Sequence, residues 1–430
     1  MLPDKNSKCS VCNLSPSSSP EFNKNFYVIL FITVLLFFIN IRLSFILPHL
    51  EIFTGIKSDN TMIRNISIYW SFSLFSGLIG GAYILGKYGE LNGILSLWKV
   101  VILGTIFPCL IMCYLSLNVA LITYSSTVLF LRFMNAFFHP ATLFISIIFL
   151  MKMYHPQLHV KISAYFIFAT LLSMQCSYCA ITYYSANNLK LWCCLFLAIS
   201  VLAGFTWTFF FKEIKIEAQE IMLKTTLTAT IPGAKSLAFF IGYVFNAGIR
   251  YHYFFADAYI NDVLILKYHP FTVQPLRSIF FYIFLNMFLI IASYLIKPAQ
   301  QLRFLTLSLM GILLIGIMPI ALPICSLITY EIYQGVFAFF LAGFLAPSLS
   351  IIFLLFNDSK QIFNRIFWFT LGYGLSNLAG DWLTIKYGFF HRSNLLPMMP
   401  FICGGAFCLV VLRYNAPKLE QHLREFLNKV

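Results

Sequence analysis

Residues 212–235 read KEIKIEAQEIMLKTTLTATIPGAK, the one long polar interruption between two sets of apolar blocks. Six blocks precede it, at roughly 26–47, 66–86, 94–116, 122–150, 162–185 and 191–211. Six follow, at roughly 236–258, 277–296, 303–321, 327–356, 366–386 and 395–413. Each is close to the ~20 residues that an α-helix needs to cross the hydrocarbon core of a bilayer. The pattern predicts an all-α polytopic membrane protein, with twelve transmembrane helices in two six-helix bundles, a 6 + 6 plan. The expected domains are a disordered tail at 1–25, an N-terminal bundle at 26–211, a linker at 212–235, a C-terminal bundle at 236–413 and an amphipathic tail at 414–430. The first block is too long for a signal-peptide core and lacks a small-residue cleavage site, so it reads as the first span.

Composition requires the same solvent. The 430 residues carry 29 Lys and Arg against 15 Asp and Glu, so that 10% are charged, while 60% are hydrophobic and 48 are Phe. Soluble domains are about 25% charged, and no one or two soluble cores would bury this much apolar material. The net charge of +14 is spread between apolar blocks with no basic run or stripe, so nucleic acid is not an expected partner. Lipid is. Most of the 11 cysteines sit inside apolar blocks, where they act as small hydrophobes. Cys9 and Cys12, and Cys176 and Cys179, have the spacing of half a zinc site, but the first pair lies in the tail and the second in a span. Neither a metal nor another cofactor is expected.

Cytoplasmic loops retain Lys and Arg during insertion. With the N-terminus inside, nineteen of these residues fall on the cytoplasmic side and seven outside, while Arg42, Arg132 and Arg250 lie within spans. Both termini are therefore expected in the cytoplasm, and the Phe- and Ile-heavy usage fits a bacterial inner membrane. The tail at 414–430 places Leu419, Leu423 and Leu427 on one side of a helix, in water or at the interface. Spans four and ten each hold a proline, Pro140 and Pro347, and each continues into Ser-Ile-Ile-Phe-Leu, at 146–150 and 350–354. Such echoes occur between related transporter halves.

Between spans two and three stands Gly80-Gly81-Ala82-Tyr83-Ile84-Leu85-Gly86-Lys87-Tyr88-Gly89-Glu90. This stretch resembles the signature loop of the major facilitator superfamily, with Lys87 and Gly89 on its first arginine and its glycine. Gly86 stands at the acidic position and Glu90 at a basic one. The resemblance implies an inner-loop gate at Gly81, Gly86, Lys87, Gly89 and Glu90 that latches the halves through charges, with its usual acid missing. Arg132 and Asn135, in Leu-Arg-Phe-Met-Asn-Ala, resemble the superfamily's span-four arginine signature. Spans ten and eleven, with Gly343 and Pro347, the loop at 357–365, and Gly372-Tyr373-Gly374 followed by Asn377, are similar to the metabolite:proton symporter branch that includes proline/betaine and α-ketoglutarate carriers. Tyr373 and Asn377 are implied as substrate residues. Where that branch has span-one acids, this chain has Asn40 and Arg42, so its usual proton route does not carry over.

An arginine deep in a span costs a few kcal/mol or more unless it faces water or a partner. Alternating span direction places Arg42, Arg132 and Arg250 between the middle and the outer half of the membrane, and Glu331 and Asp381 about one turn from the outer face. A cavity lined by three arginines favours carboxylate or phosphate, because guanidinium groups fork onto such oxygens. Glu331 and Asp381 are candidates for proton coupling, weighed against pairing with the arginines. His252 and Tyr251 fit packing better than a site.

The reading is a monomeric secondary transporter, not an enzyme, that moves a small organic anion or zwitterion by alternating access, with proton coupling as a further element. A ligand sensor of transporter descent and a polytopic membrane enzyme are the alternatives. The second lacks paired acids or a histidine cluster at the membrane edge.

Overall fold

The computed structural model describes residues 26–35, 60–117, 125–154, 156–181, 194–195, 197–199, 201–202, 233–262, 270–321, 327–356, 361–387 and 399–428. In chain order its long helices are α1 (Phe26–Leu35), α2 (Asn60–Asn92), α3 (Ile94–Leu117), α4 (Ser125–Met153), α5 (His159–Ile181), α6 (Ala234–Asp262), α7 (Pro270–Leu295), α8 (Gln301–Ala321), α9 (Leu327–Leu355), α10 (Ile362–Tyr387) and α11 (Met399–Asn428). They fall on eleven of the expected spans, and helical residues at 194–202 fall on the sixth. The tail at 1–25, Arg42 and the linker up to residue 232 lie outside the described residues. So do the side chains of Cys176, Cys179, Tyr251, His252, Asp381 and Leu427.

The outward faces of the helices are apolar, as the core is. On α7 the exposed face carries Ile283, Met287 and Ile290, each 36–48% exposed, while Asn286 and Ser293 are 5% and 2% exposed. On α8, Leu307, Met310 and Leu314 face out and Ser308 is buried. Apolar stripes at helical spacing outside, with amides and hydroxyls inside, suit helices whose outer surround is hydrocarbon. Among the described residues Leu129–Met151, Pro298–Ile317 and Glu331–Leu355 are each long and apolar enough to cross a bilayer.

Glycines set the closest helix contacts. A Cβ on Gly77 would meet the Phe133 carbonyl at 2.5 Å, and one on Gly81 would overlap the Phe137 carbonyl, so α2 lies directly on α4. In the other half, a Cβ on Gly242 would overlap the Phe369 carbonyl and one on Gly372 the Phe239 carbonyl, so α6 and α10 approach backbone to backbone.

The halves meet mainly where α2 packs on α10 and where α5 packs on α7 and α9. Helix α10 also packs on α6 of its own half. The α5–α7 pair is marked by the Tyr165 and Tyr294 hydroxyls, 3.2 Å apart, with the Lys161 Nζ 4.9 Å above the Tyr294 ring. The two Ser-Ile-Ile-Phe-Leu segments are buried in α4 and α9.

Span twelve and the C-terminal tail form one continuous helix, α11, through Pro417. The tail is packed on protein: Leu419, His422 and Leu423 are buried. Helix α11 touches two 3-10 turns, Pro156–Leu158 between α4 and α5, and Pro298–Gln300 between α7 and α8, one from each half. Its Asn415 sits against Gly233, where a side chain would meet the Asn415 Oδ1 at 2.9 Å and where φ is +80°. Glycine serves both needs there.

Candidate solute site and inter-half junction

Three polar rows converge midway along the helices. On α4, Arg132, Asn135 and His139 are spaced i, i+3 and i+7, which places them on one face. Arg132 and Asn135 are 9% and 3% exposed. On α10, Phe369, Tyr373 and Asn377 are spaced i, i+4 and i+8. On α6, Asn246 and Arg250 are one turn apart.

Hydrogen bonds fix the α6 and α10 rows to each other. The Asn246 amide donates to the Tyr373 carbonyl at 3.2 Å and to the Ser376 hydroxyl at 2.6 Å. Ser376 in turn donates to the Tyr373 carbonyl at 2.8 Å. The Arg250 guanidinium donates to the Asn377 carbonyl at 3.4 Å and to the Asn377 Oδ1. Neutral oxygens thus aim the cation while leaving its charge intact.

The α4 row faces α10 from the other half. The His139 and Tyr373 rings are 6.1 Å apart between centres. The Tyr373 hydroxyl feels the charges of both Arg250 and Arg132, and His139 feels Arg132. Arginines from opposite halves therefore both act on one phenol. Beneath it lies an aromatic layer: Tyr373 stacks on Phe369 at 6.3 Å, and Phe369 meets Phe144 of α4 at 4.9 Å and Phe245 of α6 at 5.4 Å.

Of the expected substrate residues, Arg132, Asn135, Arg250, Tyr373 and Asn377 belong to these rows, while Arg42 lies outside the described residues. Glu331 is half-buried in the second turn of α9; Asp381 has a described backbone only. Sequence reasoning missed His139, Asn246 and Ser376. Stepping in helical turns from Arg132 and Arg250 would have reached the first two, since each repeats its arginine's face.

At the basic end of the bundle, α2 meets the start of α10. A Cβ on Gly86 would lie 3.2 Å from the Phe363 Cα, and one on Gly89 would lie 2.6 Å from Leu97 and 3.4 Å from Ile362. Lys87 pairs with Glu90 at 3.0 Å and sits 4.3 Å from the Phe363 ring centre. The Glu90 Oε1 accepts the Phe363 backbone N–H at 3.2 Å. Gly86, Lys87, Gly89 and Glu90 all fall at this junction, whereas Gly81 packs on α4 within its own half. Position 86 is a glycine, and the carboxylate at this junction is that of Glu90, one turn later. The surround is aromatic, with Tyr83 against Phe363 at 5.4 Å and Phe367 at 6.1 Å.

No family model matches the sequence, and no curated relative matches it. Solved structures do match. The human organic anion transporter MFSD10 (TETRAN) superposes with a TM-score of 0.65 at 11% identity, covering 92% of this chain and 100% of that one. The proton:xylose symporter XylE bound to 6-bromo-6-deoxy-D-glucose gives 0.63 at 12% identity, with 91% and 96% covered. A double Trp mutant of XylE gives 0.67 at 14% identity, with 94% and 98% covered. These matches are to transporters rather than enzymes. The chain has the all-α, twelve-helix fold of the major facilitator superfamily.

Proposed function

We propose that this chain is a secondary transporter that carries a small organic anion, or a zwitterion held by its carboxylate, by alternating access about the Arg132, Tyr373 and Arg250 cluster. The observation that carries the reading is an arginine from each half, Arg132 buried on α4 and Arg250 half-buried on α6, both acting on the Tyr373 phenol of α10, which packs on both of those helices. A cation inside a bilayer is expensive, and two held by opposite halves suit a charge that both halves grip in turn. The fold supports a carrier, and the description of MFSD10 as an organic anion transporter agrees with the charge of the site. In this reading the basic end is cytoplasmic, both termini lie there, and the membrane is a bacterial inner membrane. Glu331 and Asp381 stand as candidates for proton coupling. The likeness to metabolite:proton symporters selects carboxylate-bearing metabolites as first candidates.

The test is uptake of proline, betaine and dicarboxylates by proteoliposomes, with and without a proton gradient. One of these solutes should accumulate, and Arg132→Gln with Arg250→Gln should abolish its uptake. Full uptake by the double variant would refute the site. Binding without uptake would favour the sensor alternative.

A further inference from the structure

At the basic end of the bundle, Tyr165 of α5 touches a helix from each half. Its ring lies 6.5 Å from that of Phe26 on α1, and its hydroxyl lies 3.2 Å from that of Tyr294 on α7. Farther along, the Ser173 hydroxyl of α5 donates to the Val34 carbonyl of α1 at 3.1 Å, so α1 follows α5 for two turns. The face of α5 left uncovered carries Lys161, Tyr165, Phe168 and Leu172, at i, i+4, i+7 and i+11, the first three half-buried and the last exposed. Polarity falls along it from ammonium to phenol to hydrocarbon. The neighbours repeat that order from the same end, with exposed Tyr27 before exposed Phe31 on α1, and exposed Lys297, just past α7, before Tyr294 and Ile291.

A phospholipid has the same gradient, from phosphate through an ester layer to acyl chains. The Lys161 Nζ stands 4.9 Å above the Tyr294 ring, so a ring from the opposite half holds the ammonium at the seam, where a free lysine would swing out to water. Among the described residues no carboxylate pairs with Lys161 or Lys297. Cations without acids, at the level where phenols mark the passage from hydrocarbon to water, favour an anionic headgroup over a zwitterionic one.

We propose that the α5–α7 seam at the basic end binds an anionic phospholipid, with its phosphate on Lys161 beside the Tyr165 and Tyr294 hydroxyls and its acyl chains along Phe168 and Leu172. The bound headgroup touches one helix from each half. This inference needs the membrane fold and not the carrier reading.

The experiment is native mass spectrometry of the full chain in detergent, titrated with dioleoyl phosphatidylglycerol or dioleoyl phosphatidylethanolamine. The wild type should bind the anionic lipid roughly fivefold more tightly, the scale of one lysine at an anionic surface. Lys161→Gln should level the two lipids, while Lys161→Arg, which keeps the charge, should retain most of the preference. Lys235→Gln is the matched control, since Lys235 of α6 is a basic-end lysine 5.8 Å from the ring centre of Trp368 on α10, and it should leave the preference unchanged. Melting temperatures without added lipid identify a misfolded variant, and the wild-type preference needs no variant at all. Equal binding of the two lipids by the wild type, an unchanged preference in Lys161→Gln, or an equal loss in Lys235→Gln would overturn the inference. Glycerol 3-phosphate at the lipid's concentration should leave lipid occupancy unaltered, and displacement by it would overturn the assignment to a lipid.

Discussion

The Glu90 carboxylate, at the end of α2, accepts the backbone N–H of Phe363, in the first turn of α10. First-turn N–H groups have no partner within their own helix, and a carboxylate there also meets the positive end of the helix dipole. One half of the protein therefore caps a helix of the other, and in the carrier reading the cap holds only while this end is closed.

Removing the cap should loosen that closure. Side-chain caps contribute about 1 kcal/mol, or roughly a fivefold change in population. Glu90→Ala should broaden the distance between spin labels at Leu91→Cys and Gln361→Cys toward longer values. Glu90→Gln, which keeps an acceptor, should do so less. Lys87→Ala should have little effect on stability, because a half-exposed i, i+3 pair contributes about 0.5 kcal/mol or less.

Gly372→Ala should abolish folding or nearly so, because its Cβ would fall on the Phe239 carbonyl and α6 would have to part from α10. Gly335→Ala has nothing within 4 Å of the added carbon and should be neutral, or stabilising by up to about 1 kcal/mol through helix propensity. Fluorescence-detected size exclusion of the two variants makes the comparison.

Asn246→Ala removes both bonds from α6 to the Tyr373 and Ser376 pair. The loss should be about 1–3 kcal/mol, read as a lower melting temperature. Ligand affinity should fall as well, since the Tyr373 backbone is held by this amide. A variant that melts lower yet binds unchanged would separate the bond network from the site.

Ending the chain after Pro417 removes the buried Leu419, His422 and Leu423 from α11, the helix that touches both 3-10 turns. Labels at Gln157→Cys and Gln300→Cys, one on each turn, should then move apart or spread in distance. An identical distribution with and without the tail would show that it bridges the halves without restraining them.

Much of the fold was legible because a bilayer writes strongly into sequence. Each crossing needs its own apolar run, and the polar stretch at 212–235 splits the runs evenly. Arg132 and Arg250 were legible as candidates for the complementary reason, that charges amid such runs stand out. His139, Asn246 and Ser376 did not stand out, since a neutral polar residue in a span is common and its meaning depends on the helix opposite. The junction was legible in part: the glycine-rich loop marked the place, but nothing in sequence connects Glu90 with a backbone N–H that lies 273 residues away. The tail was expected in water or at the interface, yet Leu419 and Leu423 are buried, because the two 3-10 turns that α11 touches, Pro156–Leu158 and Pro298–Gln300, meet only after folding.

Helix α10 bears Tyr373 and Asn377 beside the arginines and, about 15 Å below at ~1.5 Å per residue, the capped Phe363. A rigid rod cannot keep one end fixed in register while the other is pulled. One continuous helix therefore joins the candidate solute site to the Glu90 cap, so in the carrier reading a substitution between Phe363 and Tyr373 is expected to disturb both.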